Sequence, residues 1–265
     1  MILGIEECGR VLSPWIGSSA GWSKMNRIGR WLGAVASAVF VAGGCIAAAG
    51  QASADPCSDV QVVFARGTFE PPGVGGVGDA FVDALRARTA GKSVDVYAVN
   101  YPASLDFATA ADGVADASNK VRAIAAECPD TKIVLGGFSQ GAAVAAYITA
   151  DSVPQGFVLP PSITGPLPAD VADHVAAVAL FGKPSSGFLQ MIYTGAPPIT
   201  VGSRYVAKTD DLCIPEDPVC SPTGGDNNAH NLYAVNGLTD QAADYVVGKL
   251  GVKPADRSVD QAAGR

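Results

Sequence analysis

Lys132-Ile133-Val134-Leu135-Gly136-Gly137-Phe138-Ser139-Gln140-Gly141-Ala142-Ala143-Val144-Ala145-Ala146 is the stretch that decides the fold of this 265-residue chain. Its first part, 132–137, is a short β-branched, apolar run of the kind found in strands buried on both faces. From Ala142 onward it turns Ala-rich, the composition of a helix. Between the two, Gly137-Phe138-Ser139-Gln140-Gly141 has the form G-x-S-x-G, which puts Ser139 on a sharp strand-to-helix turn. The backbone must turn so tightly there that only small residues fit two positions either side, and Gly137 and Gly141 meet that demand. Such a turn lifts the Ser hydroxyl to the carboxyl edge of a sheet, above a helix N-terminus. The helix dipole and the free N–H of Gln140 then favour an oxyanion beside it.

Outward from this point, four more β-branched runs stand at 60–65, 94–99, 176–181 and 203–209. Helical spacing lies between several of them. Val114, Val121 and Ile124 share one face, as do Leu238, Ala242, Tyr245 and Val246. Strand followed by helix, repeated, predicts one α/β domain with a parallel sheet covered on both faces. Ligands of such sheets collect beyond the carboxyl ends of the strands. The loops expected on that edge are 67–78, 100–108, 182–200 and 210–228. The stretch 151–168 follows a helix instead and belongs to the opposite edge. Despite Phe157, Val158 and Leu159 it reads as packing or a partner surface.

A serine hydroxyl needs a base, and the chain has two His. His174 directly precedes a strand, so it belongs at the amino edge and reads as structural. His230 follows the 210–228 loop at the carboxyl edge, which makes it the expected base. The acid that orients it should lie between nucleophile and base in chain order. Asp217 is preferred because it sits inside Cys213-Ile214-Pro215-Glu216-Asp217-Pro218-Val219-Cys220, where a short cross-linked loop with two prolines would hold a carboxylate in place. Asp211 and Glu216 are the alternatives. Arg66-Gly67-Thr68 follows the first strand, where hydrolases supply a second oxyanion donor, so Thr68 is expected to complement Gln140. Gly73-Val74-Gly75-Gly76-Val77-Gly78 matches G-x-G-x-x-G before a helix expected at 79–88. Arg66 to Pro72 separate it from the strand end, which disqualifies it as a dinucleotide loop.

The first 54 residues read differently from the rest. From Met25, a basic start (Arg27, Arg30), an apolar stretch to Ala49 and Ala52-Ser53-Ala54 have the order of a secretory signal peptide, with cleavage expected after Ala54. Residues 1–24 stand ahead of a signal already complete and read as an over-extended start. The remaining domain is 55–265, with a frayed tail expected from 254. Losing 1–54 removes four basic and two acidic side chains and takes the formal net charge from −7 to −9. With no basic run either, nucleic acid is excluded as a partner, and anionic surfaces are disfavoured. Four Cys remain: Cys57, Cys128, Cys213 and Cys220. An even set in an exported chain reads as two disulfides with three possible pairings. Locality favours Cys213–Cys220, which leaves Cys57–Cys128.

These pieces together resemble the cutinase family, in particular its secreted actinobacterial esterases. The residues that carry the resemblance are Phe64-Ala65-Arg66-Gly67-Thr68, Val134 to Gly141, Ala179-Leu180-Phe181-Gly182, Asp217 within its Cys pair, and Ala229-His230. It spans about 57–250. The resemblance implies an α/β-hydrolase with a five-stranded central sheet and a Ser139–Asp217–His230 triad. It also implies an oxyanion hole from Thr68 and Gln140, both disulfides above, and no metal or cofactor. The implied activity is hydrolysis of carboxylic, fatty-acyl or lipid-like esters through an acyl-enzyme. The expected form is a secreted monomer, transiently at a lipid or cell-envelope interface and open to cell-wall association. Two other readings stand beside it: an acetyl-polysaccharide esterase on the same fold, and a cell-envelope binding protein with a vestigial triad.

Overall fold

The computed structural model describes residues 57–89, 91–155 and 159–252. The expected leader (1–54), the tail from 254, and Phe157 and Val158 lie outside the described residues. Among the described residues, no helix is long and apolar enough to cross a membrane.

In chain order the elements are β1 (Val60–Ala65), α1 (Gly75–Arg88), β2 (Val94–Ala98), α2 (Ala110–Glu127), β3 (Lys132–Phe138), α3 (Gln140–Ile148), α4 (Ala169–His174), β4 (Val175–Phe181), α5 (Ser186–Ile192), α6 (Ser203–Val206), β5 (Thr209–Leu212) and α7 (Leu238–Leu250). The five strands form one parallel sheet in the order β2-β1-β3-β4-β5. Alternate side chains of each strand point to opposite faces. Val62, Phe64, Val134, Ala179 and Phe181 pack under α1 and α7. Val63, Leu135, Val178 and Leu180 pack under α2 and α3. The first face is closed by Phe64, Phe81 and Phe181, with ring centroids 5.6–6.3 Å apart. Room for Phe64 comes from Gly78 of α1 and Gly136 of β3, where an added Cβ would lie 2.8 and 2.5 Å from its ring.

The chain leaves β1 for β2 on one side and then returns to β3 on the other. The strand order therefore reverses between β1 and β3, and a crevice opens beyond their carboxyl ends. Thr68 follows β1, and Ser139 follows β3.

Two elements depart from expectation. The run 203–209 is not the fifth strand: its first part is α6, and the strand is Thr209–Leu212. Gly202 opens α6, and the Asp151 carboxylate accepts from Ser203 N–H at 2.8 Å and Oγ at 3.2 Å, which fastens the turn. β5 pairs only with β4, so as an edge strand it can carry Asp210 and Asp211, which also blunt an open edge. The second departure is α1, which begins at Gly75 rather than 79. A carboxylate oxygen of Glu70 accepts from Gly76 N–H at 2.8 Å and stabilises the start of a helix whose first residues carry no side chain. The described part of 151–168 packs on α2 and α3, with Arg122 Nη2 donating to the Gly165 and Pro166 carbonyls at 3.0 and 2.9 Å.

Candidate active site

The turn after β3 is as tight as its glycines require. Ser139 has φ 55° and ψ −120°, a region L-residues avoid and which costs about 1–3 kcal/mol to hold. A Cβ at Gly137 would overlap the Gly141 carbonyl, and one at Gly141 would overlap the Ala65 carbonyl. Ser139 N–H still donates to the Phe181 carbonyl at 2.9 Å, so the sheet holds the residue from one side and α3 from the other.

His230 sits on a 3₁₀ turn at Ala229–Asn231. Its Nε2 lies 2.8 Å from Ser139 Oγ, and its Nδ1 lies 2.7 Å from Asp217 Oδ2. The ring stacks on Phe138 with centroids 4.8 Å apart and planes 28° from parallel. Its other side is open only because residue 182 is Gly, where a Cβ would sit 3.1 Å from His230 Cε1. The predicted nucleophile, base and acid are thus brought into one hydrogen-bonded line. His174 ends α4 at the amino edge of β4, away from this line.

Asp217 is fully buried. Its Oδ1 accepts from Val219 N–H at 2.9 Å, and its Oδ2 accepts from both His230 and the Tyr233 hydroxyl, the latter at 2.8 Å. Of the alternative acids, Asp211 is exposed and paired with Lys183 at 3.2 Å, and Glu216 faces solvent. The loop is closed by Cys213–Cys220, and Cys220 Sγ packs 3.4 Å from Asp217 Oδ2. The other disulfide is Cys57–Cys128, which ties the start of β1 to the end of α2.

Tyr233 is the residue that sequence reasoning missed. It is fully buried; its oxygen accepts from Ile214 N–H at 3.1 Å while its proton goes to Asp217. Burial above all, against the opposing hydrogen bond from Ile214 N–H and reinforced by the Asp217 carboxylate, pushes the phenol well above its ordinary value, so it remains a donor. The one available signal was its place three residues after His230, on the same side of a helical turn.

Thr68 and Gln140 line one cleft with Ser139 and His230. The Gln140 side chain is committed elsewhere, its Nε2 donating to the Ser104 carbonyl at 3.0 Å, so the backbone N–H is what it can offer an oxyanion. The loop bearing Thr68 is braced on both sides. The buried Arg66 guanidinium donates to the carbonyls of Glu70 at 2.8 Å and Tyr101 at 2.6 Å, and Tyr101 OH donates to the Arg66 carbonyl. The Glu70 carboxylate accepts from Gly67 N–H at 2.6 Å and from Gly76 N–H, bridging this loop to α1. The glycine-rich stretch therefore receives a carboxylate of its own chain. The cleft, about 370 Å³, is walled mostly by apolar side chains, among them Leu105, Phe107, Val114, Phe188, Leu189 and Ile192.

A parallel sheet whose strand order reverses at a strained serine, with an imidazole and a buried carboxylate in line behind it, defines an α/β-hydrolase. A family model described as Cutinase matches residues 56–250, and the chain belongs to the cutinase family. Carboxylesterase Culp1 of Mycobacterium tuberculosis is 50% identical over 201 residues, which cover 75% of this chain and 85% of that protein. Phospholipase Culp4 of the same organism is 47% identical over 195 residues, 73% of this chain and 80% of the relative. Among solved structures, a Trichoderma reesei cutinase in complex with a phosphonate inhibitor matches at 31% identity and a TM-score of 0.54, covering 74% of this chain and 78% of that one. Family and fold together make the chain a carboxylic ester hydrolase.

Proposed function

We propose that this hydrolase cleaves fatty-acyl esters through an acyl-enzyme on Ser139. Ser139 Oγ attacks the ester carbonyl while its proton passes to His230 Nε2, and Asp217 stays ionised to stabilise the imidazolium. The backbone N–H groups of Gln140 and Thr68 hold the oxyanion, each such donor contributing about 3 kcal/mol in sites of this kind. Collapse of the intermediate expels the alcohol, which takes the proton from His230. Water activated by the same His then releases the acid and restores the hydroxyl. The observation that carries this reading is the continuous contact from Ser139 Oγ through His230 to Asp217 at the floor of an apolar cleft.

The cleft argues for fatty-acyl over acetyl-polysaccharide esters, since a polar sugar chain gains nothing from Leu, Phe and Ile walls. On its lining Phe69 and Leu105 are 74% and 62% exposed, apolar surface suited to brief contact with a lipid or envelope interface. In this reading the leader is removed after Ala54, and the domain of 55–265 acts outside the cell as a monomer, with two disulfides suited to that compartment. The test is hydrolysis of p-nitrophenyl esters with labelling by a fluorophosphonate. Wild type should turn over and be labelled, and Ser139→Ala should do neither. Undiminished turnover by Ser139→Ala would end the proposal. N-terminal sequencing of the chain from culture medium checks the cleavage point.

A further inference from the structure

Helix α3 carries a ruler as well as the nucleophile. Ser139 caps it, Ala143 and Tyr147 follow at four-residue intervals, and all three line the cleft. Eight residues at 1.5 Å each put Tyr147 about 12 Å beyond Ser139 along the helix axis. The Tyr147 hydroxyl donates to the Pro197 carbonyl at 2.5 Å, tying α3 to the facing wall, to which Pro197 also belongs. Burial pushes this phenol up to about 12, so the tie holds through any ordinary assay pH. Val114 of α2 stands at the same end. Behind these two side chains lies a second, smaller pocket of about 40 Å³, about as open to solvent as the cleft and lined on its far side by residues such as Ile148, Val153, Leu159 and Ile163. Val114 and Tyr147 are the two residues that border both spaces.

We infer that Tyr147 and Val114 form the end wall of the acyl site and set the longest acyl chain it accepts, separating it from a neighbouring open pocket that would otherwise prolong it. The inference rests on Ser139 as the acylated residue and adds where the chain stops. The alcohol half of the ester must lie against His230, which protonates it, so the acyl half takes the direction along α3. An all-trans alkyl chain with bonds near 1.5 Å advances about 1.25 Å per carbon, so 12 Å accommodates roughly ten carbons. Longer chains must bend out of the cleft and leave methylenes in water.

The experiment is a series of p-nitrophenyl esters from butyrate to palmitate, below their micellar concentrations. Wild-type kcat/KM should climb to about the decanoate and fall by about tenfold or more at palmitate. In Val114→Ala the palmitate-to-octanoate ratio should rise by about tenfold, and adding Ser118→Leu, which fills the second pocket, should return it toward wild type. A wild type that hydrolyses palmitate as well as octanoate overturns the inference, as does an unchanged ratio in a Val114→Ala protein that still turns over octanoate. Where Val114→Ala does not fold, the wild-type profile alone decides. Failure of the Ser139 reading looks different: Ser139→Ala would then keep hydrolysing the whole series.

Discussion

Tyr233→Phe removes one oxygen from the least accessible part of the site and leaves the ring where it packs on Phe138 and Phe181. Two hydrogen bonds go with it. Asp217 Oδ2 loses a donor at 2.8 Å, and Ile214 N–H loses its acceptor at 3.1 Å. A hydrogen bond to a charged group contributes about 1.5–3 kcal/mol, and a buried N–H left without a partner costs about 1–3. The expected loss of stability is therefore about 3–5 kcal/mol, or on the order of 10 °C in Tm for a domain of this length. The kinetic effect is separate. With the phenol gone, Asp217 Oδ2 is held by His230 alone and the carboxylate can rotate. If about 2 kcal/mol of that hold serves to align the imidazole, kcat falls about thirtyfold while KM for a soluble ester stays put. Thermal melting and steady-state kinetics of wild type and variant decide it. An unchanged Tm refutes the buried hydrogen bonds. A lowered Tm with kcat unchanged refutes the alignment role.

The two disulfides should separate stability from activity. Cys57→Ser/Cys128→Ser opens a loop with a sequence separation of 71 and should lose about 4 kcal/mol of stability in the chain-entropy model, with kcat preserved at temperatures where the variant is folded. Cys213→Ser/Cys220→Ser, at a separation of 7, should lose only about 2.5 kcal/mol but show the larger fall in kcat, because the loop it frees carries Asp217. Equal kinetic effects would contradict this. Glu70→Gln keeps the shape but gives up the charge-assisted bonds to Gly67 and Gly76, so kcat should drop about tenfold as Thr68 drifts, with little change in KM. Burial, aided by Asp211, raises the carboxyl of Asp210 above its ordinary value. The folded state therefore disfavours its ionised form at neutral pH and recovers that penalty as pH falls through the raised value. Asp210→Asn should raise Tm at pH 7, with the gain disappearing below about pH 3.5, where the carboxyl is protonated folded or unfolded.

What could be read in advance follows the range of the forces involved. The turn at Ser139 is legible in five residues because its demand, no Cβ at 137 or 141, is local and steric. The central strands are legible because burial on both faces forces continuous apolar runs such as Val62–Ala65. The last strand is not, because an edge position relaxes that demand. Asp210-Asp211-Leu212 then reads as a loop, while the β-branched content of 203–209 reads as a strand although Asp151 caps its first part into a helical turn. The start of α1 is hidden for a related reason: Glu70 supplies from five residues upstream the stabilisation that Gly75 and Gly76 lack. Tyr233 is the sharpest case. By pattern it is one more aromatic near a helix, and its role exists only once the loop of 213–220 folds back over it.

The crowding at the elbow restricts how this protein can be altered. Any side chain at 137 or 141 collides with main chain rather than with a neighbour able to step aside, and position 139 asks for a torsion few residues tolerate. A saturation library should come back almost blank across this pentapeptide. Laboratory evolution toward new esters will draw its successes from Val114, Phe188, Ile192 and the other residues that upholster the channel.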